Sequence, residues 1–172
     1  MNACRHPFLT AVGACAMLSF AAPAGAQADE EIRALGDRAE IEELVVRYVT
    51  ALDTLDADAY AGVFAEDAVF DVAGAVYRGR EAIRAIVTDL RAARDRAEAE
   101  GTAAASLYHV MSNTSIELID DDEARHTSYA QTVRLSDDGQ FVVGFMGRYE
   151  DVIVKRGGRW QILSRKLVSF LD

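Results

Sequence analysis

Residues Asp37–Asp71 read DRAEIEELVVRYVTALDTLDADAYAGVFAEDAVFD, and the rest of the chain is organised around them. Ile41, Leu44, Val45, Tyr48, Val49 and Leu52 recur at the three- and four-residue steps of one helix face. Two polar groups interrupt that stripe near its C-terminal end, the phenol of Tyr48 and the carboxylate of Asp53. Asp53 lies about one turn beyond Val49, so it projects with the apolar residues and away from Glu42, Glu43 and Arg47. A carboxylate aimed at an apolar interior is costly unless a partner meets it. Asp56 or Asp58 can cap a short second helix carrying Tyr60, Val63 and Phe64. An Ala65-Glu66-Asp67 turn is expected next, then a strand at Ala68–Val72 that includes Phe70.

Outward from this stretch, the N-terminus reads as an export signal. Arg5 and His6 precede an apolar run from Phe8 to Phe20, and Ala24-Gly25-Ala26 is a small-residue cleavage site. The run is too short to span a bilayer. A lipoprotein reading at Cys15 is weaker, because little apolar sequence precedes it. Cleavage after Ala26 makes residues 27–172 a single domain, secreted or periplasmic. Both cysteines, Cys4 and Cys15, leave with the signal, so stability must come from a core rather than from disulfides. Removing Arg5, the signal's one charged side chain besides His6, takes the formal charge from −10 to −11. That acidity argues against nucleic acid and anionic membrane as partners.

Downstream, Gln27–Leu35 either extends the first helix or frays. Val76-Tyr77 forms a short return strand, and a third helix after Gly79 turns Ile83, Ile86, Val87 and Leu90 inward. Arg91–Glu100 reads as a solvated helical face and Gly101–Ala105 as a connector. From Ser106 the period changes to two, predicting strands at Leu107–Ile119, Arg125–Leu135, Phe141–Lys155 and Arg159–Phe170. Asp120–Glu123, Ser136–Gly139 and Arg156–Gly158 are turn-rich connections. Helices followed by an antiparallel meander give an α+β class. The expected architecture is a cone-shaped half-barrel, a curved antiparallel or mixed sheet wrapped around three N-terminal helices.

Several motifs follow in order: Arg47-Tyr48 with Ala51-Leu-Asp53, Phe64-Ala-Glu-Asp67, Gly79-Arg-Glu-Ala-Ile83, His109 with Asn113 and Ile116-Glu-Leu118, Gly147-Arg-Tyr-Glu-Asp151, and Trp160-Gln-Ile162 with Arg165. Together they resemble the nuclear transport factor 2-like superfamily, in its SnoaL-like and scytalone-dehydratase-like branch, over about Asp37–Phe170. In dehydratases of that branch a helix aspartate pairs with a strand histidine across an apolar cavity. The resemblance therefore implies a dyad of Asp53 and His109, with the imidazole taking a proton from carbon. It gives Tyr48 a place beside a substrate carbonyl or enolate oxygen. The alternative for His109 is a satisfied core histidine among Leu107, Tyr108, Val110 and Met111, and for Tyr48 a core tyrosine with its hydroxyl at the rim.

Arg165, Asn113, Phe70, Met111 and His126 complete the candidate substrate-lining set. Arg165 would hold a carboxylate, a phenolate or Asp53 itself if it faces inward, and would be a surface charge if it faces outward; alternation along the strand does not choose. His126, after the acidic Asp120–Glu123 turn, reads as a strand-edge residue rather than as a second pocket histidine. No metal or cofactor is expected: the mature chain has two distant histidines and no cysteine, phosphate loop or dinucleotide fingerprint. The expected activity is a cofactor-free, dehydratase-type lyase acting on a small, largely apolar cyclic or aromatic substrate. The alternatives are an isomerase using the same base and a non-catalytic ligand-binding cone. A homodimer or higher homo-oligomer through the outer sheet face is expected from the alternating Val142, Val152 and Val154.

Overall fold

Helix α1 runs without interruption from Ala24 to Thr54, so the acidic segment after the expected cleavage site extends the helix rather than fraying. The computed structural model describes residues 24–102, 107–136 and 138–170. The expected export signal lies outside the described residues except for Ala24–Ala26, and so does most of the connector before the first long strand. Ile41, Leu44, Val45, Tyr48 and Leu52 of α1 are buried, as the periodicity predicts, whereas Val49 is half-buried and Ala51 is buried in addition. Leu55 then takes a left-handed conformation, φ 55°, and Asp56 N donates back to Ala51 O at 2.9 Å. A left-handed non-glycine residue costs about 1–2 kcal/mol. Packing of Leu55 against the core offsets it. Asp56, not Asp58, caps helix α2 (Ala57–Gly62) by accepting from Ala59 N at 3.0 Å.

Strand β1 covers Phe64–Val72, which corrects two expectations. The second helix stops before Val63 and Phe64, and Ala65–Asp67 belong to the strand rather than to a turn. Backbone partners explain both: Ile162 N donates to Val63 O at 2.9 Å, Arg80 Nε donates to Phe64 O at 2.9 Å, and Gly79 N donates to Ala68 O at 2.7 Å. Strand β2 (Ala75–Arg78) returns, and helix α3 (Arg80–Ala99) follows. Ile83 and Val87 of α3 are buried, but Leu90 is 47% exposed, so the inward stripe ends a turn earlier than expected.

The four long strands are β3 (Leu107–Leu118), β4 (Glu123–Leu135), β5 (Phe141–Arg156) and β6 (Arg159–Ser169). The sheet order is β2-β1-β6-β5-β4-β3, with β1 parallel to β6 and every other neighbour antiparallel. It is a curved, unclosed mixed sheet against N-terminal helices, the expected half-barrel. Gly157 and Gly158, both at positive φ, make the two-residue turn between β5 and β6. That handedness matches the twist of the paired strands, and only glycine adopts it at no steric cost. Lys155 Nζ and Trp160 Nε1 both donate to the buried Asp37 Oδ1, at 2.6 and 2.9 Å, fastening this end of the sheet to α1.

Register stacks the concave face into layers. His109 lies opposite Thr132, Met111 opposite Ala130, and Ala130 opposite Gly147. Ser128 faces Tyr149, and the next layer runs Phe70–Arg165–Asp151–His126–Ile116 across five strands. Below it come Ala124, Ile153, Ile162 and Phe64. Gly147 cannot be larger, because a Cβ there would stand 2.5 Å from Val168 O and 2.6 Å from the Phe145 ring.

Candidate functional site

Asp53 sits in the last turn of α1, where backbone carbonyls make the helix end negative. A carboxylate there is unfavourable alone and calls for donors. His109 supplies them: its ring Nδ1 lies 2.6 Å from Asp53 Oδ1, and its backbone N–H donates to the same carboxylate at 3.1 and 3.3 Å. The two side chains are only 17% and 16% exposed. An ionised carboxylate can only accept, so Nδ1 carries the proton and a neutral His109 keeps its lone pair on Nε2. That nitrogen has no hydrogen-bond partner among the described residues. The arrangement is competent to take a proton and to stabilise the imidazolium that results. An opening of about 300 Å³ beside Asp53 is lined by Leu52, Leu55, Arg94, Glu98, Leu107 and Tyr108. Grooves of about 450, 440 and 550 Å³ lie along α1 and are lined by none of the expected site residues.

A second, sealed polar layer lies deeper. Asp151 is fully buried and accepts from Arg165 Nε at 2.8 Å, from Arg165 Nη2 at 2.7 Å and from His126 Nδ1 at 2.6 Å. Burial pushes the Asp151 carboxyl up, but the Arg165 guanidinium and the His126 ring outweigh it and hold it below the ordinary range. Burial opposes the charge on Arg165 too, yet Asp151 raises its pKa further still. The guanidinium lies 4.0 Å from the Tyr48 ring centre and 4.4 Å from that of Tyr149, both cation–π contacts. Tyr48 Oη is 3.1 Å from Tyr149 Oη and 3.5 Å from Tyr60 Oη. Burial, followed by the neighbouring Tyr48, lifts the Tyr60 and Tyr149 phenols well above their usual value, so both stay protonated. Three buried polar atoms of this layer have no partner: His126 Nε2, Ser128 Oγ and Arg165 Nη1.

The structure thus brings Asp53 and His109 into contact and sets Tyr48 one layer deeper, its hydroxyl committed to other tyrosines. Met111 shares the inward face of His109 and is half-buried, and Phe70 is buried beside Arg165. Arg165 faces inward because Leu163 is an extra residue against β5: Ile162 pairs with Ile153, and Ser164 already with Val152. His126 is not at a strand edge. It lies inside the sheet between β3 and β5, 0% exposed, because Asp151 meets its ring from the next strand. Asn113 falls outside both clusters: it is exposed at a bulge in β3 with φ 51°, a backbone position asparagine tolerates. Sequence reasoning missed Asp151, Tyr149, Tyr60 and Ser128 as site neighbours. The i, i+2 spacing of Gly147, Tyr149 and Asp151 was the available signal for two of them. Among the described residues no group of three or more His, Cys, Asp or Glu side chains could hold a metal, and no helix is long and apolar enough to cross a membrane.

A family model described as a SnoaL-like domain matches residues 33–166. A function-unknown protein from Mycobacterium tuberculosis is 28% identical with TM-score 0.65, covering 77% of this chain and 76% of that one. A nuclear transport factor 2-like protein with a cystatin-like fold from Novosphingobium aromaticivorans is 24% identical with TM-score 0.71, covering 84% and 88%. A protein from the same species, provisionally described as a scytalone dehydratase, is 22% identical with TM-score 0.65, covering 82% and 89%. The last two likenesses show the fold alone. Among curated proteins none matches.

Proposed function

The chain belongs to the SnoaL-like family of the nuclear transport factor 2-like superfamily, and from that premise we propose that it is a cofactor-independent lyase using Asp53 and His109 as its general base. Family membership supports a small-molecule-processing or small-molecule-binding role in general. The observation that carries the finer reading is the 2.6 Å contact between Asp53 Oδ1 and His109 Nδ1. His109 Nε2 takes a proton from a substrate carbon, the C–H electron pair becomes the new double bond, and the leaving group departs with its own bonding pair. The imidazolium, steadied by Asp53, then returns its proton to a departing hydroxide, giving water. The substrate class is small, cyclic or aromatic, and largely apolar, matching Phe70, Met111 and the aromatic rings around Tyr48.

Solvent deuterium exchange tests this directly. Candidate cyclic ketones and alcohols incubated in heavy water should exchange their acidic C–H with the wild-type chain and not with His109→Ala. A double-bond product without loss of a group would mark the same base as an isomerase. Tight binding with no exchange in either protein would discard the enzyme reading. A specific observation favours that non-catalytic alternative: Asp53 also accepts from the His109 backbone, a bond that ties α1 to β3 whatever the imidazole does.

A further inference from the structure

Ser128 Oγ, Arg165 Nη1 and His126 Nε2 are unpartnered polar atoms on fully buried side chains of one concave face. A buried donor or acceptor left without a partner is costly, so three together need a reason. The tyrosine hydroxyls add a fourth unspent group. Tyr48, Tyr60 and Tyr149 share two hydrogen bonds among three hydroxyl protons, so one O–H has no acceptor among the described residues. His126 Nδ1 is spent on Asp151, which leaves Nε2 as an acceptor in the neutral ring. Arg165 Nη1 can only donate, and the Ser128 hydroxyl has a proton to give as well as lone pairs. An added oxygen that accepts would satisfy both.

We propose that Ser128 Oγ and Arg165 Nη1 form the anchor for an uncharged carbonyl oxygen of the ligand, at the end remote from the Asp53–His109 pair. This rests on the reading of the concave interior as a small-molecule site. The charge state follows from the partners. Asp151 and Arg165 already cancel each other, and a second buried anion beside Asp151 would go unpaired, its desolvation uncompensated. A neutral carbonyl satisfies the donors without adding charge. Length follows from the elements. Tyr48, over whose ring Arg165 lies, precedes Asp53 by about 7.5 Å of helix. Ser128 stands four residues from Thr132, the partner of His109, about 13 Å along β4. A ligand reaching both ends is two or three fused rings long. Between them the Met111–Ala130–Gly147 layer presents small side chains on its two central strands. The anchor atoms are sealed from solvent, so the oxygen reaches them only as the side chains covering them part.

Three probes of one shape test the anchor on the full chain by calorimetry and infrared spectroscopy: 2-tetralone, its hydrocarbon tetralin, and 2-naphthoate. The ketone should bind at least about tenfold more tightly than either of the others, with its C=O stretch moved to lower frequency by hydrogen bonding. Ser128→Ala should weaken the ketone about fivefold, move its C=O stretch back, and leave tetralin unchanged. Ser128→Ala removes one oxygen and keeps the fold, whereas Arg165→Lys tests the second donor with its charge retained. Equal binding of ketone and tetralin, with no effect of Ser128→Ala, overturns the anchor while leaving the interior as a ligand site. Tighter binding of 2-naphthoate overturns the uncharged class. Failure of all three to bind overturns the interior as a small-molecule site, and the anchor with it. Loss of deuterium exchange in His109→Ala, with ketone affinity kept, separates the base from the anchor.

Discussion

The Asp53 carboxylate engages His109 twice, through the ring Nδ1 at 2.6 Å and through the backbone nitrogen at 3.1 Å, although 56 residues separate them. One side chain therefore sets both the tautomer of the imidazole and the position of the strand that carries it. For a positioned general base, Asp53→Asn should lower turnover about hundredfold or more, roughly 3 kcal/mol in the barrier. His109→Ala should lose at least as much, and the double variant little more, because groups acting as one unit are not additive. Near-wild-type turnover in His109→Ala would rule out the base.

Acid should loosen the fold through Asp151. Its folded pKa is depressed, so its contribution is present above the unfolded value of about 3.9 and is lost as pH falls through the lower folded value. Urea titrations from neutral pH downward should show the midpoint falling in that window for the wild-type protein. In Asp151→Asn the neutral-pH stability should drop by about 3–5 kcal/mol, since Arg165 is left buried and uncompensated, and the acid dependence should flatten. An unchanged acid slope in the variant would assign the effect to other carboxylates.

Alkali should act through the tyrosines. Tyr60 and Tyr149 have raised folded pKa values, so their contribution is complete below the unfolded value of about 10 and is lost as pH rises above it. Phenolate absorbance should show these two ionising only together with unfolding. Their titration in a chain that remains folded, near the ordinary value, would contradict the buried hydroxyl cluster.

On the outer face, Tyr108, Val110, Leu135, Phe141 and Val143 are exposed together, Phe141 at 80%. The sequence places the expected second copy on the outer face at Val142, Val152 and Val154; those three are half-buried, and this exposed corner takes their place. Sedimentation at micromolar concentration should give a dimer for the wild-type chain and a monomer for Phe141→Asp; a wild-type monomer would dismiss the interface.

The expected export signal predicts a mature N-terminus at Gln27. Intact mass of protein recovered outside the cytoplasm should show residues 1–26 removed, and their retention would refute export by this route.

Periodicity made the core face of α1 and the four long strands legible, because burial imposes a 3.6-residue or two-residue rhythm directly on the sequence. Motif order made the family legible, and with it the Asp53–His109 pairing. What periodicity cannot carry is an insertion that resets it. Counting in twos from the buried Trp160 sends Arg165 outward, and only the extra Leu163 brings it in. His126 was misread for a related reason: its buried setting depends on Asp151, a residue on a different strand. Asn113 looked like a pocket group, whereas its place is fixed by backbone geometry at a bulge.

The connectivity also orders events in time. Strands β3–β6 join through short turns and can zip locally, whereas β1 meets β6 as the sheet's parallel pairing, and α1 reaches β3 across more than fifty residues. Loop-closure entropy favours the local hairpins first and the docking of the N-terminal unit last. The Asp53–His109 contact should thus appear only in the final step of folding, leaving no partly folded species with that pair assembled. Pulsed hydrogen exchange should show β4 and β5 amides protected before the His109 amide, which needs Asp53 as its acceptor.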